Sequence, residues 1–261
     1  MYGYFEGHSY RTKEKEKNLK NWILRDNWYL FLTGYGKIVL RTRKEARSGI
    51  YDDKHWADSS FEIFRLIEKI GGIFDIEGME NISKPAGPVL FLSNHISTLE
   101  TMIFPGIIRP HRPVTFVVKE SLVRHPLFGD VMKSRDPIVV GRTDPRKDLE
   151  AVMNGGQELL SKGISIVIFP QSTRSEKFIP EEFNSLGVKL AKKANVQVIP
   201  VAIKTDFWGN GKLIKEIGKL DHRKIIHMKF GEPMTIAGNG KEENQQIISF
   251  IQENLKIWEA E

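Results

Sequence analysis

A histidine and a carboxylate lie five positions apart in the stretch FLSNHISTLET, residues 91 to 101. His95 and Glu100 are the residue types of a general base and of the group that orients it. Five positions within one helix separate two side chains by about 140°, so the pair meets only if the helix begins between them. If Ser97 is the N-cap, Glu100 lies in the first turn and reaches back to one ring nitrogen of His95. The other nitrogen then faces outward, as a general base requires.

The same residues also have a structural interpretation. Ser97 and Glu100 fit the S-x-x-E capping box, in which each side chain accepts a hydrogen bond from the other residue's backbone N–H. His95 directly follows the end of an apolar run, where a histidine of the core is common. This stretch alone therefore leaves both the base and the cap open.

Polar and charged residues follow two further predicted strands. The run PIVVGR ends in Arg142. Ligands of parallel sheets bind beyond the carboxyl ends of the strands. A base beside two arginines on one edge predicts binding of an anion such as a phosphate. Alternatively, each arginine pairs with a surface acid, such as Asp144 or Glu176. The second run, ISIVIFPQSTRS, supplies four candidate residues: Gln171, Ser172, Thr173 and Arg174.

The sequence offers no nucleophile of its own for this base. It contains no cysteine, no G-x-S-x-G elbow, no phosphate-binding P-loop and no H-E-x-x-H spacing. The base must therefore activate a hydroxyl or a water that belongs to the substrate. We expect no metal and no resident cofactor.

Alternating apolar and amphipathic segments indicate the elements that position these residues. Strands are predicted at 88–92, 114–118, 137–140, 164–169, 196–203 and 225–231, and helices near 98–108, 145–162 and 180–194, with a further C-terminal helix. This alternation predicts an α/β fold, a largely parallel mixed sheet flanked by helices.

The N-terminal part differs in composition and carries +4 of the formal net charge of +6 within 60 residues. We predict a basic, aromatic, amphipathic helical segment over residues 1–74, which docks on a membrane, and an α/β domain over residues 75–261. A second helix in it ends at Gly71-Gly72. Packing of these helices on the core is the alternative, and both can hold. The docking residues are Trp22, Trp28, Tyr29, Phe31 and Tyr35, followed by Arg41, Arg43, Lys44 and Arg47.

The charge and the hydropathy restrict the surroundings of the chain. A pI near 9.3 predicts an anionic partner, and no module typical of nucleic-acid binding is visible. No apolar run reaches the roughly 18 residues of a spanning helix, and the first residues lack a secretory signal. We therefore expect a peripheral or monotopic protein on the cytoplasmic face of a membrane.

Four blocks in this order, NHISTLE, IVVGR, FPQSTRS and VIPVAI, resemble those of the glycerophospholipid acyltransferases, over about residues 75 to 235. His95 matches the histidine of the first block, and Glu100 stands where aspartate is usual. Arg142 matches the second block and Pro200 the fourth, and Lys119 matches a lysine often found between the first two. The third block, normally F-P-E-G-T-R, is matched by Phe169, Pro170, Thr173 and Arg174 but holds Gln171 and Ser172 instead of Glu and Gly.

The resemblance implies that His95, oriented by Glu100, takes the proton of a lysophospholipid hydroxyl, which attacks acyl-CoA or acyl carrier protein directly. Arg142, Arg174 and Lys119 would hold the phosphate of an acceptor such as 1-acylglycerol 3-phosphate, or Lys119 the oxyanion. The departures at positions 171 and 172 leave another hydroxylated lipid open as acceptor. The alternatives are a thioesterase and, outside enzymes, a basic module that binds membrane surfaces.

Overall fold

The computed structural model of the chain describes residues 4–5, 7–13, 28–171, 173–211 and 218–260. The strands are β1 Tyr10–Arg11, β2 Phe74–Glu77, β3 Val89–Ser93, β4 Val114–Lys119, β5 Ile138–Val140, β6 Ser165–Ile168, β7 Gln197–Lys204 and β8 Ile226–Phe230. The helices are α1 Trp28–Arg47, α2 Asp53–Lys69, α3 Leu99–Ile108, α4 Glu120–Val123, α5 Gly129–Lys133, α6 Pro145–Ser161, α7 Leu186–Ala194 and α8 Lys241–Glu259. Turns of 3-10 helix lie at Met79–Ile82 and Pro180–Glu182.

The strands form one mixed sheet in the order β1-β2-β8-β7-β3-β6-β4-β5. The five strands from β7 to β5 run parallel, whereas β8 is antiparallel to β7 and β1 to β2. Strand β3 lies between β7 and β6, and Val89 to Leu92 are completely buried. Burial on both faces explains why this strand is a continuous apolar run rather than an alternating one. The predicted α/β fold is confirmed.

Two predictions about elements need correction. Strands β1 and β2 were not predicted, because β2 is only four residues long and β1 only two. The helix predicted near 180–194 begins at Leu186, where the Asn184 side chain accepts from the Leu186 N–H at 2.9 Å. The residues before it form the second 3-10 turn.

Helix α2 packs on α3 through a hydroxyl that enters the hydrogen-bond ladder of α3. Pro105 lies inside α3. The side chain of Ser60, which belongs to α2, bridges one turn of α3. The Ser60 Oγ accepts from the Gly106 N–H at 2.7 Å and donates to the Met102 carbonyl at 2.6 Å. This bridge replaces the bond that Gly106 would otherwise make to Met102 in an ordinary helix. It joins α2 to the helix on which Glu100 lies.

Helix α1 has a buried face and an exposed face. Phe31 and Tyr35 are buried and make edge-to-face contacts with Trp208, with ring centroids 4.8 and 5.2 Å apart. The docking role predicted for these two rings is therefore wrong, because they belong to the core. Trp28 and Tyr29 are exposed, at 47% and 75%. Trp22, which was also predicted to dock, lies outside the described residues.

The basic cluster of α1 is largely paired with acids. Arg41 binds Glu62 at 2.8 Å, while Arg43 and Arg47 both approach Asp130, at 3.5 and 3.2 Å. Paired charges attract an anionic surface less than free ones do, so the electrostatic part of the predicted docking is weaker than the sequence indicates. Lys44 is exposed.

Within the described ranges, no helix is both long enough and apolar enough to cross a bilayer. One cluster of buried hydrophobic residues extends from Phe31 in α1 to Leu255 in α8. The N-terminal helices thus share their core with the sheet, and the division of the chain at residue 74 stays a prediction.

Candidate active site

Three neighbouring strands bring polar residues to one edge of the sheet. His95 follows β3, Gln171 follows β6 and Thr205 follows β7, and β3 pairs with both of the other two strands. Parallel strands end on the same side, so the three residues converge although they lie up to 110 positions apart in the sequence. Thr205 was not predicted; it directly follows β7, and the strand predicted there ended at residue 203.

His95 and Glu100 form the predicted pair. The distance from His95 Nδ1 to Glu100 Oε1 is 2.8 Å, and the His95 side chain is 14% exposed while that of Glu100 is completely buried. A carboxylate that accepts from Nδ1–H leaves Nε2 as the unprotonated nitrogen of the neutral ring. No partner of Nε2 is found among the described residues, so this nitrogen is available to a substrate proton.

The Glu100 carboxylate is also the structural cap of the turn. Oε1 accepts from the backbone N–H groups of Ile96 at 2.7 Å and Ser97 at 2.8 Å. Helix α3 begins at Leu99, after Thr98 as N-cap and one residue later than predicted; the Ser97 Oγ accepts from the Leu99 N–H at 3.1 Å. One carboxylate therefore both contacts the imidazole and caps the turn, while the catalytic role of the pair stays a prediction.

The second oxygen of Glu100 accepts from two hydroxyls. Ser97 Oγ lies 2.9 Å and Thr205 Oγ1 2.6 Å from Oε2. Burial alone would raise the pKa of Glu100, but the bonds from His95 and Thr205, together with the positive charge that the imidazole carries when it is protonated, outweigh it and lower that pKa. The carboxylate is thus held in its charged form inside the protein.

The turn that carries His95 is fixed by hydrogen bonds to β7 and to the loop after β6. The Asn94 amide donates to the carbonyl of Ile203 at 2.9 Å and accepts from its N–H at 3.0 Å, like one more rung of the β3–β7 ladder. The His95 N–H donates to Gln171 Oε1 and the His95 carbonyl accepts from the Ser175 N–H, both at 2.9 Å. Both backbone groups of His95 are therefore satisfied by the loop after β6.

One face of the imidazole is covered by an aromatic ring. The rings of His95 and Phe169 stack at a centroid distance of 4.2 Å and an angle of 18°. Phe169 is the residue directly after β6, so the neighbouring strand supplies the stacking partner. The stack and the bond to Glu100 together fix both the plane and the rotation of the imidazole.

The basic candidates lie along the same edge on the β6, β4 and β5 side. The Arg174 guanidinium donates to the hydroxyl of Thr98, which precedes α3, and Thr173 is exposed. Lys119 and Arg142, at the ends of β4 and β5, are exposed. Those strands are two and three places from β3, about 10 and 14 Å at the usual strand spacing. Ser172 lies outside the described residues.

Gln171 lies behind His95. It is buried, and its oxygen bonds the His95 backbone, whereas its Nε2 has no partner within the part of the chain that the structure describes. The Gln at this position thus still supplies the acceptor oxygen that a glutamate would supply. Its predicted role in binding the acceptor stays a prediction.

Asp144, the acid suggested as an ion-pair partner of Arg142, has a different role in the structure. Asp144 caps helix α6, and its carboxylate accepts from the backbone N–H groups of Arg146 and Lys147. Arg142 has a left-handed backbone with φ of 59°, which costs about 1–2 kcal/mol for a residue with a Cβ.

The chain is similar in sequence to known proteins. The acyltransferase family model matches residues 73–204. A 1-acyl-sn-glycerol-3-phosphate acyltransferase from Pseudomonas aeruginosa is 28% identical over 208 residues, 80% of this chain and 75% of that protein. The chloroplastic enzyme of the same name, LPAT1, from Arabidopsis thaliana is 30% identical over 76% of this chain. The chain spans about half of that plant relative, 53%.

A solved structure shares the fold. The 1-acyl-sn-glycerophosphate (LPA) acyltransferase PlsC from Thermotoga maritima matches with a TM-score of 0.63 and 20% identity, over 93% of this chain and 98% of that chain. At this identity the likeness concerns the architecture, and it includes the mixed sheet flanked by helices.

The buried carboxylate leads to a prediction about stability. In Glu100→Gln one oxygen becomes an amide nitrogen, which faces donors in either orientation because both Glu100 oxygens accept hydrogen bonds. We expect a loss of about 1–3 kcal/mol in the free energy of unfolding, measured with denaturant at pH 7. Thr205→Val, which removes only one donor, should cost less.

The pH dependence of this loss tests the charge. The folded-state pKa of Glu100 lies below its ordinary value of 4.5, so the stability that the charge contributes is complete above that pH and is lost as the pH falls through the lower folded-state pKa. The difference between wild type and Glu100→Gln should shrink as the pH falls below 4.5. A difference that stays constant to pH 3 would contradict a buried charge.

Proposed function

This chain belongs to the acyltransferase family, and we propose that it transfers a fatty acyl group from acyl-CoA or acyl carrier protein to a hydroxyl of 1-acylglycerol 3-phosphate. The observation that supports this most directly is the His95–Glu100 pair, with Nε2 unpartnered among the described residues at an edge that also carries arginines. The chain has no cysteine, so a thiolate acyl-enzyme is excluded. The donor is a co-substrate, and no resident cofactor takes part.

In the proposed mechanism, His95 Nε2 removes the proton from the acceptor hydroxyl as its oxygen attacks the thioester carbonyl carbon. The C–S bond then breaks, and the leaving thiolate takes the proton from the imidazolium. Glu100 stays ionised throughout and stabilises the imidazolium that forms. The fixed backbone of His95 holds the ring in place for both proton transfers.

The phosphate of the acceptor would lie along the edge that Arg174, Lys119 and Arg142 share. Guanidinium groups bind phosphate through two parallel hydrogen bonds, which suits an acceptor that must present one particular hydroxyl to the base. Lys119 alternatively stabilises the oxyanion of the tetrahedral intermediate. Gln171 contacts the backbone of His95, so having Gln instead of Glu at this position removes a negative charge behind His95. This difference favours no other acceptor in particular.

A thioesterase would use the same base with water as the nucleophile. The arginines favour the transferase, because hydrolysis of a thioester needs no phosphate site on the acceptor side. The two reactions differ in one measurable respect: a transferase releases CoA only when an acceptor hydroxyl is added.

The exposed side of α1 supports docking on a membrane surface as part of this function. Tyr29, Leu40 and Arg47 fall within about 20° of one another around the helix, whereas Phe31 and Tyr35 point to the opposite, buried side. Tyr29 and Leu40 are exposed on this side, whereas Trp28, at the start of the helix, lies about 100° from Tyr29. Apolar and interfacial side chains above a basic residue are typical of a helix that lies in the headgroup region.

The role of His95 predicts a large loss of activity. His95→Ala should lower acyl transfer to 1-acylglycerol 3-phosphate by about 10² to 10⁴, the usual effect of removing a general base. The measurement is acceptor-dependent CoA release, with acyl-CoA and acyl carrier protein compared as donors. His111→Ala is a matched control, since His111 is exposed, bonds Ser83 and precedes β4 at the opposite edge of the sheet, and it should keep full activity. Near-native turnover in His95→Ala would remove it from the mechanism, and CoA release without acceptor would favour the thioesterase.

The phosphate assignment predicts an effect on KM. Arg142→Ala and Arg174→Ala should each raise KM for 1-acylglycerol 3-phosphate by about tenfold to a hundredfold, the effect of losing a charged hydrogen bond. KM for 1-acylglycerol, which lacks the phosphate, should hardly change. Arg146→Ala, a change in a neighbouring exposed arginine, is the control. Equal effects on both acceptors would show that the arginines do not bind the phosphate.

The docking role predicts separable effects for the exposed and the buried residues of α1. Tyr29→Ser with Leu40→Ser should reduce binding to anionic vesicles and activity on a vesicle-borne acceptor, while activity on a short-chain soluble acceptor and the melting temperature stay unchanged, because both side chains lie on the exposed side of α1. Phe31→Ser is the contrast, because a buried ring is lost and the melting temperature should fall. Unchanged vesicle binding in the double variant would refute docking through this face.

A further inference from the structure

The loop after β5 holds Arg142 in a backbone conformation that its side chain disfavours. Its φ of 59° lies in the left-handed region, which glycine adopts freely and residues with a Cβ rarely do. Gly141 directly precedes it, so the chain has a glycine in this loop but not at the strained position. A conformation of this kind persists only where neighbouring groups impose it.

Asp148 imposes it through two hydrogen bonds. Its Oδ1 accepts from the Gly141 N–H and its Oδ2 from the Arg142 N–H, both at 2.8 Å. Two successive N–H groups point to one place when the backbone turns through the left-handed region, and a carboxylate fits that concavity with one oxygen for each. Asp148 lies in the first turn of α6.

Capping of α6 does not account for Asp148. Asp144 is the N-cap, and its carboxylate accepts from the N–H groups of Arg146 and Lys147. Asp144 and Asp148 are four residues apart and bind different groups. Asp144 binds the first turn of α6, and Asp148 binds the loop before that helix. The loop contacts of Asp148 therefore serve the residue that the loop carries, and that residue is Arg142.

We propose that Asp148 is a positioning residue for the acceptor: its carboxylate holds Arg142 in the left-handed conformation that directs the guanidinium along the strand-end edge toward the phosphate. This inference rests on the proposed function, since it assigns Arg142 to the phosphate. A return of Arg142 to the ordinary helical region would rotate φ by about 120° and redirect its Cβ. Without Asp148 the arginine would still be present but would point elsewhere.

Steady-state kinetics of Asp148→Asn test the proposal. The amide keeps one acceptor oxygen and loses the other, so the loop keeps part of its support and the chain still folds. We expect KM for 1-acylglycerol 3-phosphate to rise about tenfold, the scale of one lost charged hydrogen bond, while kcat stays within about twofold and KM for 1-acylglycerol is unchanged. Asp144→Ala is the matched control, which should lower the melting temperature by a few degrees without this change in KM.

A double-mutant cycle with Arg142→Ala separates positioning from a general effect on the fold. If Asp148 acts through Arg142, Asp148→Asn should raise KM no further once Arg142 is alanine. Additive effects in the double variant, or an unchanged KM in Asp148→Asn, would overturn the proposal and leave the phosphate assignment intact. If Arg142→Ala itself leaves KM unchanged, the phosphate assignment fails and the role of Asp148 fails with it.

Discussion

The site depends on one ionised carboxylate that is completely removed from water. Transferring a charge into the interior costs several kcal/mol unless hydrogen bonds replace the lost hydration, and Glu100 receives five of them. The donors are the His95 ring, two backbone N–H groups and two hydroxyls. They come from the turn after β3 and from Thr205 at the end of β7. The turn, the start of α3 and the end of β7 must therefore be in place together before the charge can be buried.

The sheet order makes that convergence feasible. With β3 between β7 and β6, the end of β7 supplies Thr205 to the carboxylate and the loop after β6 supplies Gln171 and Ser175 to the backbone of His95. The turn has flanking support on both sides, and Asn94 extends the β3–β7 pairing by one rung. A strand at the edge of the sheet would have support on one side only, as β5 does. There the loop is held instead by Asp148 from the following helix.

How well a contact could be predicted from the sequence depends on how far apart its residues lie along the chain. The His95–Glu100 contact is local, and the capping pattern with helical geometry predicts it. Thr205 lies 105 positions beyond Glu100, and only the strand order brings it to Oε2. The rings of α1 show the same limit: composition groups Phe31 with Trp28, but Phe31 is buried against Trp208, about 180 residues away. Residue type predicts that a helix has an apolar face, whereas the partner of that face is a tertiary property.

Trp208 connects helix α1 with the groups that surround His95 and Glu100. The Trp208 ring contacts Phe31 and Tyr35 of α1, and the Trp208 backbone N–H donates to the Thr205 carbonyl at 3.2 Å. The Tyr35 hydroxyl also lies 3.9 Å from Met102 Sδ, two residues beyond Glu100 in α3. Helix α1 therefore rests on both elements that hold the carboxylate, without a flexible link between them. Because packed side chains transmit position over such short distances, the orientation of His95 relative to the exposed face of α1 is set by the core itself.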